Sequence, residues 1–402
     1  MTVKGSGEPT LLNESPTRDD MLARAHFLAP RLRERAARCE ELRRLPEETI
    51  ADYMDSGLTR VAQPFRYGGY EMTWDVLCEV SQVLAAACGS QAWIQRIMAD
   101  HALLVATFPD EAQQEVWARN CNTLVSASFD PVGRATPVEG GFLFSGRHGF
   151  SSGVDYAGWM ICGGYIYDGE HRDGPHFFLV PRQDVTIIDD WKTMGLSGTG
   201  SKSFTVENKF IPAHRFLDGK ASREGRGPGT LVNTAPVYRT PRGGGITATG
   251  FAALTVGMAR GVLQEWLTFT GPRKSRGVSI SALPTTHMIA AEAAAELDAA
   301  ELLFMTTLRD AMRKLEAGGD VSSQEKATSK RNVAFACKLA LDAGTKLFNQ
   351  AGGRALFTEG HLQRQYRNLL GAASHHAVVW EEAGVEYGAE LMKLYQPAHG
   401  TA

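Results

Sequence analysis

The sequence has no excess of charge of either sign. Its 402 residues carry 42 Lys and Arg against 45 Asp and Glu, a net charge of −3. A protein that tracks a phosphate backbone shows a marked basic excess, so nucleic acid is not an expected partner. Long apolar runs are missing too. No stretch reaches the ~18 uninterrupted apolar residues of a membrane span, so no membrane partner is expected. The first twenty residues are polar, carry Glu8, Glu14, Asp19 and Asp20, and lack the apolar centre of a secretory signal. Cysteine is sparse: Cys39, Cys78, Cys88, Cys121, Cys162 and Cys337, with no C-x-x-C pair. That spacing fails the zinc-finger pattern, and a chain of this size needs no disulfide staples. The six are expected to be buried thiols in a reducing, cytoplasmic setting. No G-x-S-x-G elbow stands in strand-to-helix context, which leaves a nucleophilic triad unsupported. No internal repeat and no low-complexity tract are present.

What is there is ordinary globular composition, 43% hydrophobic and 22% charged. The chain exceeds the ~250–300 residues at which one core stops growing, so two or three lobes are expected. The first region, 1–121, reads as helical. Leu28, Leu32, Ala36, Cys39 and Leu42 recur at gaps of four and three and mark one face of a helix over 23–45. Pro46 opens a second helix. The stretch 64–70 is a Pro/Gly loop, and Thr73 can cap the helix bearing Val76, Leu77, Val80, Val83 and Leu84. An apolar helical run follows over 92–108, and Pro109-Asp110 starts another helix with acidic residues where the dipole favours them.

The texture changes at 122. Segments 124–129, 141–145, 159–167, 176–180, 185–188 and 203–210 read as strands separated by turn signals. They suggest a small β-sandwich or barrel over 122–229, ending in a Gly/Arg/Pro linker at 219–229. The third region, 230–402, is helical again. Ala293, Leu297, Ala300, Leu303, Thr307, Leu308, Ala311, Met312 and Leu315 track one face, Ser322 can cap the next helix, Gly352-Gly353 breaks the chain, and a last helix covers 363–394. The fold class is therefore α+β and multidomain: helical, β, helical.

Few motifs carry chemistry. Gly195-Leu196-Ser197-Gly198-Thr199-Gly200-Ser201 joins strands and lacks P-loop spacing, so it reads as a tight loop from which Thr199 and Ser201 can donate hydrogen bonds to a ligand. Gly243-Gly244-Gly245 follows no strand and is no dinucleotide fingerprint. His171 and His176 flank a turn with no third ligand nearby, so both read as exposed loop residues and no metal site is expected. His375-His376 falls in the apolar last helix, where at least one imidazole must face apolar surroundings, and a buried imidazole usually has a partner or a task. His101, in Ala99-Asp100-His101-Ala102-Leu103-Leu104, is a core residue or a functional one on the same grounds. Ser151-Ser152 sits at a strand-edge turn, where turn chemistry and ligand contact compete. Arg273-Lys274-Ser275-Arg276 is a surface patch or a phosphate clamp.

Together these pieces resemble the acyl-CoA dehydrogenase family over 20–395. Within it they resemble the oxygenase components of reduced-flavin-dependent, two-component aromatic or indole hydroxylases. The resemblance rests on Arg66-Tyr67-Gly68-Gly69-Tyr70-Glu71, the His101 helix ending in Phe108-Pro109-Asp110-Glu111-Ala112-Gln113, Phe150-Ser151-Ser152-Gly153-Val154-Asp155, the stretch from Trp191 to Ser201, and Arg367-Asn368 followed by His375-His376. Family dehydrogenases carry a catalytic Glu in a Tyr-Glu-Gly-Thr-like stretch of the last helix. This chain has Ala373-Ser374-His375-His376-Ala377 there, and Asn368 stands in place of the Asp of the usual Arg-Asp pair.

The resemblance implies an N-terminal helical domain, a middle β domain and a C-terminal four-helix bundle, assembled as a homotetramer. It implies a flavin-dependent monooxygenase. A separate NAD(P)H:flavin reductase would supply reduced flavin by diffusion, FADH2 more readily than FMNH2. Dioxygen would add to give a C4a-hydroperoxyflavin, and an aromatic or indole-like small molecule would be hydroxylated. Ser152 would bond near flavin N5, with Ser151 beside it. His375 or His376 would steady the hydroperoxide, and His101 would orient or deprotonate the substrate. Trp191, Thr199 and Ser201 would line the flavin, Arg273 or Arg276 would meet its phosphate, and Gly352 and Gly353 would admit a neighbouring subunit's backbone. Trp93, Phe251, Met98 and Trp380 are candidate walls of the substrate pocket. Two other readings compete: a dehydrogenase or desaturase with tightly bound FAD, and a non-catalytic helical binding protein.

Overall fold

The structure is a computed structural model that describes residues 15–243 and 245–393. The polar first fourteen residues, Gly244 of the triple-glycine run and Leu394 at the expected end of the last helix lie outside the described residues. Helix α1 (Arg18–Leu42) starts from a capping box between Thr17 and Asp20 and buries Leu28, Leu32, Ala36 and Cys39. Leu42 is exposed at the helix end, where Arg43 turns left-handed at φ 52°. Helix α2 (Glu47–Ser56) stops at Gly57, which supplies φ 70°. Helix α3 (Trp74–Ala87) begins after Thr73, whose side chain makes no capping bond; Asp75 supplies the first-turn charge. Helix α4 (Gly89–Val105) is buried along its whole length, and α5 (Asp110–Trp117) carries the expected acidic first turn.

Seven strands follow: β1 (Val125–Val138), β2 (Gly141–Ser151), β3 (Trp159–Asp168), β4 (His171–Pro181), β5 (Thr186–Ile188), β6 (Lys202–Pro212) and β7 (Phe216–Leu217). They pair in the order β5-β6-β2-β1-β3-β4-β7, with β1 parallel to β3 and the other pairs antiparallel. Phe144 on β2 and Phe178 on β4 are three strand steps apart. A flat sheet would separate them by roughly 14 Å. Their ring centroids lie 4.9 Å apart. The sheet therefore curls over an apolar interior of Phe144, Met160, Cys162, Phe178, Phe204 and Val206. Gly133 permits this, since a Cβ there would sit 2.3 Å from the Phe144 ring.

Two loop expectations need correction. His171 is exposed, but His176 is only 4% exposed. It packs on Phe216, bonds Asp173 through Nε2 at 3.1 Å, and accepts the Gly219 N–H on Nδ1. Nor is 219–229 a free linker. It forms α6 (Gly219–Arg223), capped by Asp218, then a short turn pressed so close to Ala106 that a Cβ on Gly229 would meet the Ala106 carbonyl at 2.2 Å. The thiols are all free; five are buried and Cys121, in the connection before β1, is half-buried.

The C-terminal helices are α7 (Thr249–Thr270), α8 (Pro284–Glu316), α9 (Ser323–Ala351), α10 (His361–Ala373) and α11 (Trp380–Lys393); a hairpin of β8 (Lys274–Ser275) and β9 (Val278–Ser279) follows α7. The expected α8 face is buried except Leu303 and Thr307, which are half-buried, and Ser322 forms a capping box with Glu325. Gly352, at φ 72°, ends α9. The single last helix is corrected to two. His375 leaves the helical conformation and its Nδ1 accepts the Ala377 N–H, so the doublet lies in a break between α10 and α11. Helices from both ends of the chain share one core that includes Leu28, Leu77, Leu254, Leu297, Leu347 and Leu369. The sheet docks on it through Phe108, Trp117, Ile161, Leu179 and Leu217. Among the described residues, no helix is long and apolar enough to cross a membrane.

One polar group in the sheet interior is costly. His148 is fully buried, neither ring nitrogen has a partner, and it stacks between Phe144 and Phe204. Burial pushes its imidazole down to about 4. Below the ordinary histidine value the unfolded chain takes up a proton that the folded chain refuses, so this residue erodes stability as pH falls from about 6.5 toward 4. His148→Leu should raise the unfolding free energy, by about 1 kcal/mol at pH 8 and by about 1–2 kcal/mol more at pH 5. Denaturant melts at the two pH values check this; a gain that does not grow at pH 5 contradicts it.

Candidate active site

The turn after β2 and the loop before β6 meet over α4, and hydroxyl groups line the meeting place. Trp93 Nε1 donates to Ser152 Oγ at 3.2 Å. Ser152 Oγ lies 2.8 Å from Ser201 Oγ, Ser201 Oγ lies 2.7 Å from Thr199 Oγ1, and Thr199 Oγ1 donates to the Leu196 carbonyl at 2.8 Å. Each hydroxyl has one proton to give. Thr199 spends its proton on Leu196, so it accepts from Ser201, which in turn accepts from Ser152. The chain therefore runs one way, from the Trp93 indole to the Leu196 carbonyl. Ser152 can redirect its proton to a ligand without leaving a buried donor stranded. Local sequence makes the turn possible: Gly153 adopts φ 70°, and a Cβ there would lie 2.2 Å from the Met98 methyl.

Behind Ser152 stands an aromatic stack. The Trp93 ring is 5.3 Å from Phe251 and 5.8 Å from His375; Phe251 and His375 stack at 3.9 Å; His376 follows at 4.4 Å. His375 is half-buried and His376 exposed. Burial, then the neighbouring His376 and Arg96, push the His375 imidazole down to about 3, so it is neutral near pH 7. Its Nδ1 accepts the Ala377 N–H at 3.2 Å, which leaves the one ring proton on Nε2. His375 is thus a neutral hydrogen-bond donor.

His101 is the opposite tautomer. It lies two turns further along α4, roughly 12 Å in axial rise from Trp93, and is buried against Phe129 with rings 5.6 Å apart. Its Nδ1 donates to the Val125 carbonyl at 2.8 Å, so Nε2 keeps a free lone pair. Burial lowers its imidazole to about 4. His101 is therefore a neutral imidazole with an acceptor at Nε2, as suits a phenolic O–H, and its burial and its bond to Val125 fit the core reading.

The structure gathers Trp93, Ser151, Ser152, Thr199, Ser201, Phe251, His375 and His376. It adds residues that motif reading passed over. Ser126 Oγ donates to the Ser152 carbonyl at 2.8 Å and lies 2.7 Å from Ser151 Oγ. Its sequence signal is small: Ser at alternate positions 126 and 128 of an otherwise apolar strand. Arg96, fully buried, sits 4.4 Å over the Phe251 ring and pairs with Asp100, which also bonds Arg242. Other residues are placed elsewhere. Trp380 packs on Phe335 with rings 5.1 Å apart. Arg273 Nη1 donates to the Ala351 carbonyl beside Gly352, and Arg276 is exposed in the β8–β9 turn. Among the described contacts, none joins these arginines or Gly352 and Gly353 to the hydroxyl chain.

The hydroxyl chain and its rim fit a flavin ring. Phe150 is 77% exposed and Met194 63% exposed, beside a half-buried Trp191 whose ring meets Phe150 edge-on at 5.8 Å. Large apolar side chains left open next to buried hydroxyls suit a planar ligand with a polar edge: the ring covers the apolar surface and the hydroxyls bond its heteroatoms.

Comparison with known proteins agrees with this chemistry. Residues 20–123 match the acyl-CoA dehydrogenase N-terminal domain and residues 249–380 the acyl-CoA dehydrogenase C-terminal domain. The chain is 35% identical to the flavin-dependent monooxygenase oxygenase subunit HsaA of Rhodococcus jostii, across 91% of this chain and 97% of that protein. It is 31% identical to the FADH2-dependent resorcinol hydroxylase oxygenase component of a Rhizobium strain, across 93% and 94%. The crystal structure of the HsaA monooxygenase from M. tuberculosis superposes with a TM-score of 0.89 at 33% identity, covering 94% of this chain and 98% of that one.

A nitrogen-resolved NMR titration checks the imidazole assignments. His375 should stay neutral with its proton on Nε2 from pH 5 to 8, and Phe251→Ala should return its midpoint toward the ordinary histidine range. A wild-type midpoint near 6.5 contradicts the assignment.

Proposed function

The chain belongs to the acyl-CoA dehydrogenase family, and from that premise we propose that it is the oxygenase component of a two-component flavin-dependent monooxygenase hydroxylating an aromatic or indole-like small molecule. The single observation that carries this is the neutral imidazole of His375, stacked on Phe251 and 5.8 Å from the Trp93 ring whose indole donates to Ser152. A thioester-oxidising relative needs a carboxylate base in this part of the chain. Here the nearest carboxylates after the doublet, Glu381 and Glu382, are exposed at the start of α11. That disfavours the dehydrogenase reading.

Reduced flavin, when bound, supplies the electrons with which dioxygen is activated for transfer of one oxygen atom to the substrate. The chain's own residues bind, orient and exclude water. Ser152 redirects its hydroxyl proton to the ring edge, with Ser151 and Ser126 fixing the turn. Thr199 and Ser201 hold the adjoining edge, and Trp191 with Phe150 covers the ring. His375 donates from Nε2 to a developing oxyanion, and its position behind Trp93 keeps water away. His376, exposed, serves at the mouth. His101 accepts a hydrogen bond from the substrate's hydroxyl at Nε2, and Trp93 and Phe251 wall the ring.

Several finer points belong to the same reading. FAD is favoured over FMN by the resorcinol hydroxylase relative, which is FADH2-dependent. Relatives named as oxygenase subunits or components support a separate NAD(P)H:flavin reductase as partner. Arg273, Arg276, Gly352 and Gly353, apart from the hydroxyl chain, would serve the cofactor of a neighbouring subunit in a homotetramer. The protein would work in the cytoplasm, as three domains bounded near 121/122 and 229/230. The curled sheet would be the middle domain, and α7 to α10 the four-helix bundle.

The test is direct. The full chain is mixed with enzymatically reduced FAD, oxygen-18 gas and a panel of phenols and indoles, and products are read by mass. A product carrying one labelled oxygen atom is expected. Flavin oxidation that yields only hydrogen peroxide with every member of the panel overturns the reading.

A further inference from the structure

Helix α10 does more than lead to His375. It also grips the loop that lines the hydroxyl chain. Asn368, on α10 and 5% exposed, accepts the Leu196 N–H on Oδ1 at 2.8 Å. Arg367 donates to the Met194 carbonyl, and Gly195 passes so close that a Cβ there would lie 2.0 Å from the Arg367 carbonyl. Leu196 itself is left-handed at φ 55°. That conformation is costly for a residue with a Cβ and persists only where its surroundings hold it.

Leu196 is the node of the loop. Its carbonyl accepts from Trp191 Nε1 at 3.1 Å, from Thr199 Oγ1 at 2.8 Å and from the Thr199 N–H at 3.1 Å. Those bonds aim Trp191 and terminate the hydroxyl chain that begins at Trp93. One side-chain oxygen on α10 therefore holds, through its N–H, the residue whose carbonyl orients Trp191 and Thr199 and, through Thr199, Ser201 and Ser152. The C-terminal end of the same helix delivers His375, with the His375 N–H donating to the Ala372 carbonyl at 3.2 Å.

We propose that Asn368 is a positioning residue: its Oδ1, by fixing Leu196, locks the flavin-lining loop 191–201 to the helix that carries His375, so that one rigid element sets both sides of the site. The cofactor half of this proposal rests on the function proposed above; the loop half does not. The position needs an acceptor and not a charge, so Asp should serve there as Asn does. The departure from the family's Arg-Asp pair is therefore conservative at this bond.

The experiment compares full-length wild type, Asn368→Asp and Asn368→Ala. Lys192 is exposed within the loop and reports its release by trypsin cleavage without any flavin. Asn368→Ala should be cut at Lys192 about tenfold faster, at an unfolding temperature close to wild type, and Asn368→Asp at the wild-type rate. Reduced FAD affinity, measured anaerobically, should fall about five- to tenfold in Asn368→Ala and recover in Asn368→Asp. Equal cleavage in all three proteins overturns the proposal, as does an Asp variant that behaves like Ala. If Asn368→Ala does not fold, the Asp variant decides alone: wild-type protection and affinity support the proposal, and loss of either overturns it. If wild type binds no flavin at all, the proposed function fails while the cleavage result still judges the loop.

Discussion

A helix buried on every face must find a partner for every polar side chain it carries, and α4 carries Gln91, Gln95, Arg96, Asp100 and His101 among them. Each partner comes from a different part of the chain. Gln91 donates to the Leu32 carbonyl and Gln95 to the Leu58 carbonyl, both at 2.7 Å. Arg96 donates to the Thr247 carbonyl at 2.9 Å, and His101 reaches β1. Satisfying this one helix ties the N-terminal helices, the sheet and the start of α7 together. It also leaves Trp93 and His101, two turns apart, with fixed ring orientations on the side where the sheet docks.

That constraint explains how two histidines come to differ. Both are neutral because burial penalises their charged forms. What separates them is the backbone group each meets. A carbonyl takes the Nδ1 proton of His101, and an amide takes the Nδ1 lone pair of His375. The result is an acceptor at Nε2 of His101 and a donor at Nε2 of His375. An acceptor for a phenolic proton and a donor for a developing oxyanion are what the proposed aromatic hydroxylation would ask of a protein that excludes water and leaves the redox chemistry to flavin.

Much of this was legible in the amino-acid sequence where period and punctuation agree. The face of α1, the capping box at Ser322, the break at Gly352 and the helical–β–helical order follow from spacing and turn chemistry. The break at His375 did not, because Ala, Ser and Val around it carry no strong stop signal. The helix ends there because His375 docks on Phe251 and its own Nδ1 captures the Ala377 amide, a tertiary event. His176 was misjudged for the same reason: its partners Phe216 and Gly219 are forty residues away. The curl of the sheet needed glycine at 133 facing Phe144, which no local pattern announces. Trp93, Ser152 and His375 were each visible as candidates, but only the fold sets Ser152 and His375 on either side of Trp93.

The central claim of the proposed function is that donation from the His375 imidazole couples oxygen to the substrate in place of its release as hydrogen peroxide. It is tested most directly by the ratio of oxygenated product to hydrogen peroxide formed per reduced flavin consumed, in wild type and in His375→Ala, with flavin affinity measured alongside. The account predicts unchanged flavin binding and a shift to mostly hydrogen peroxide in the variant. A variant that binds flavin normally and still couples oxygen to product as well as wild type does would contradict it.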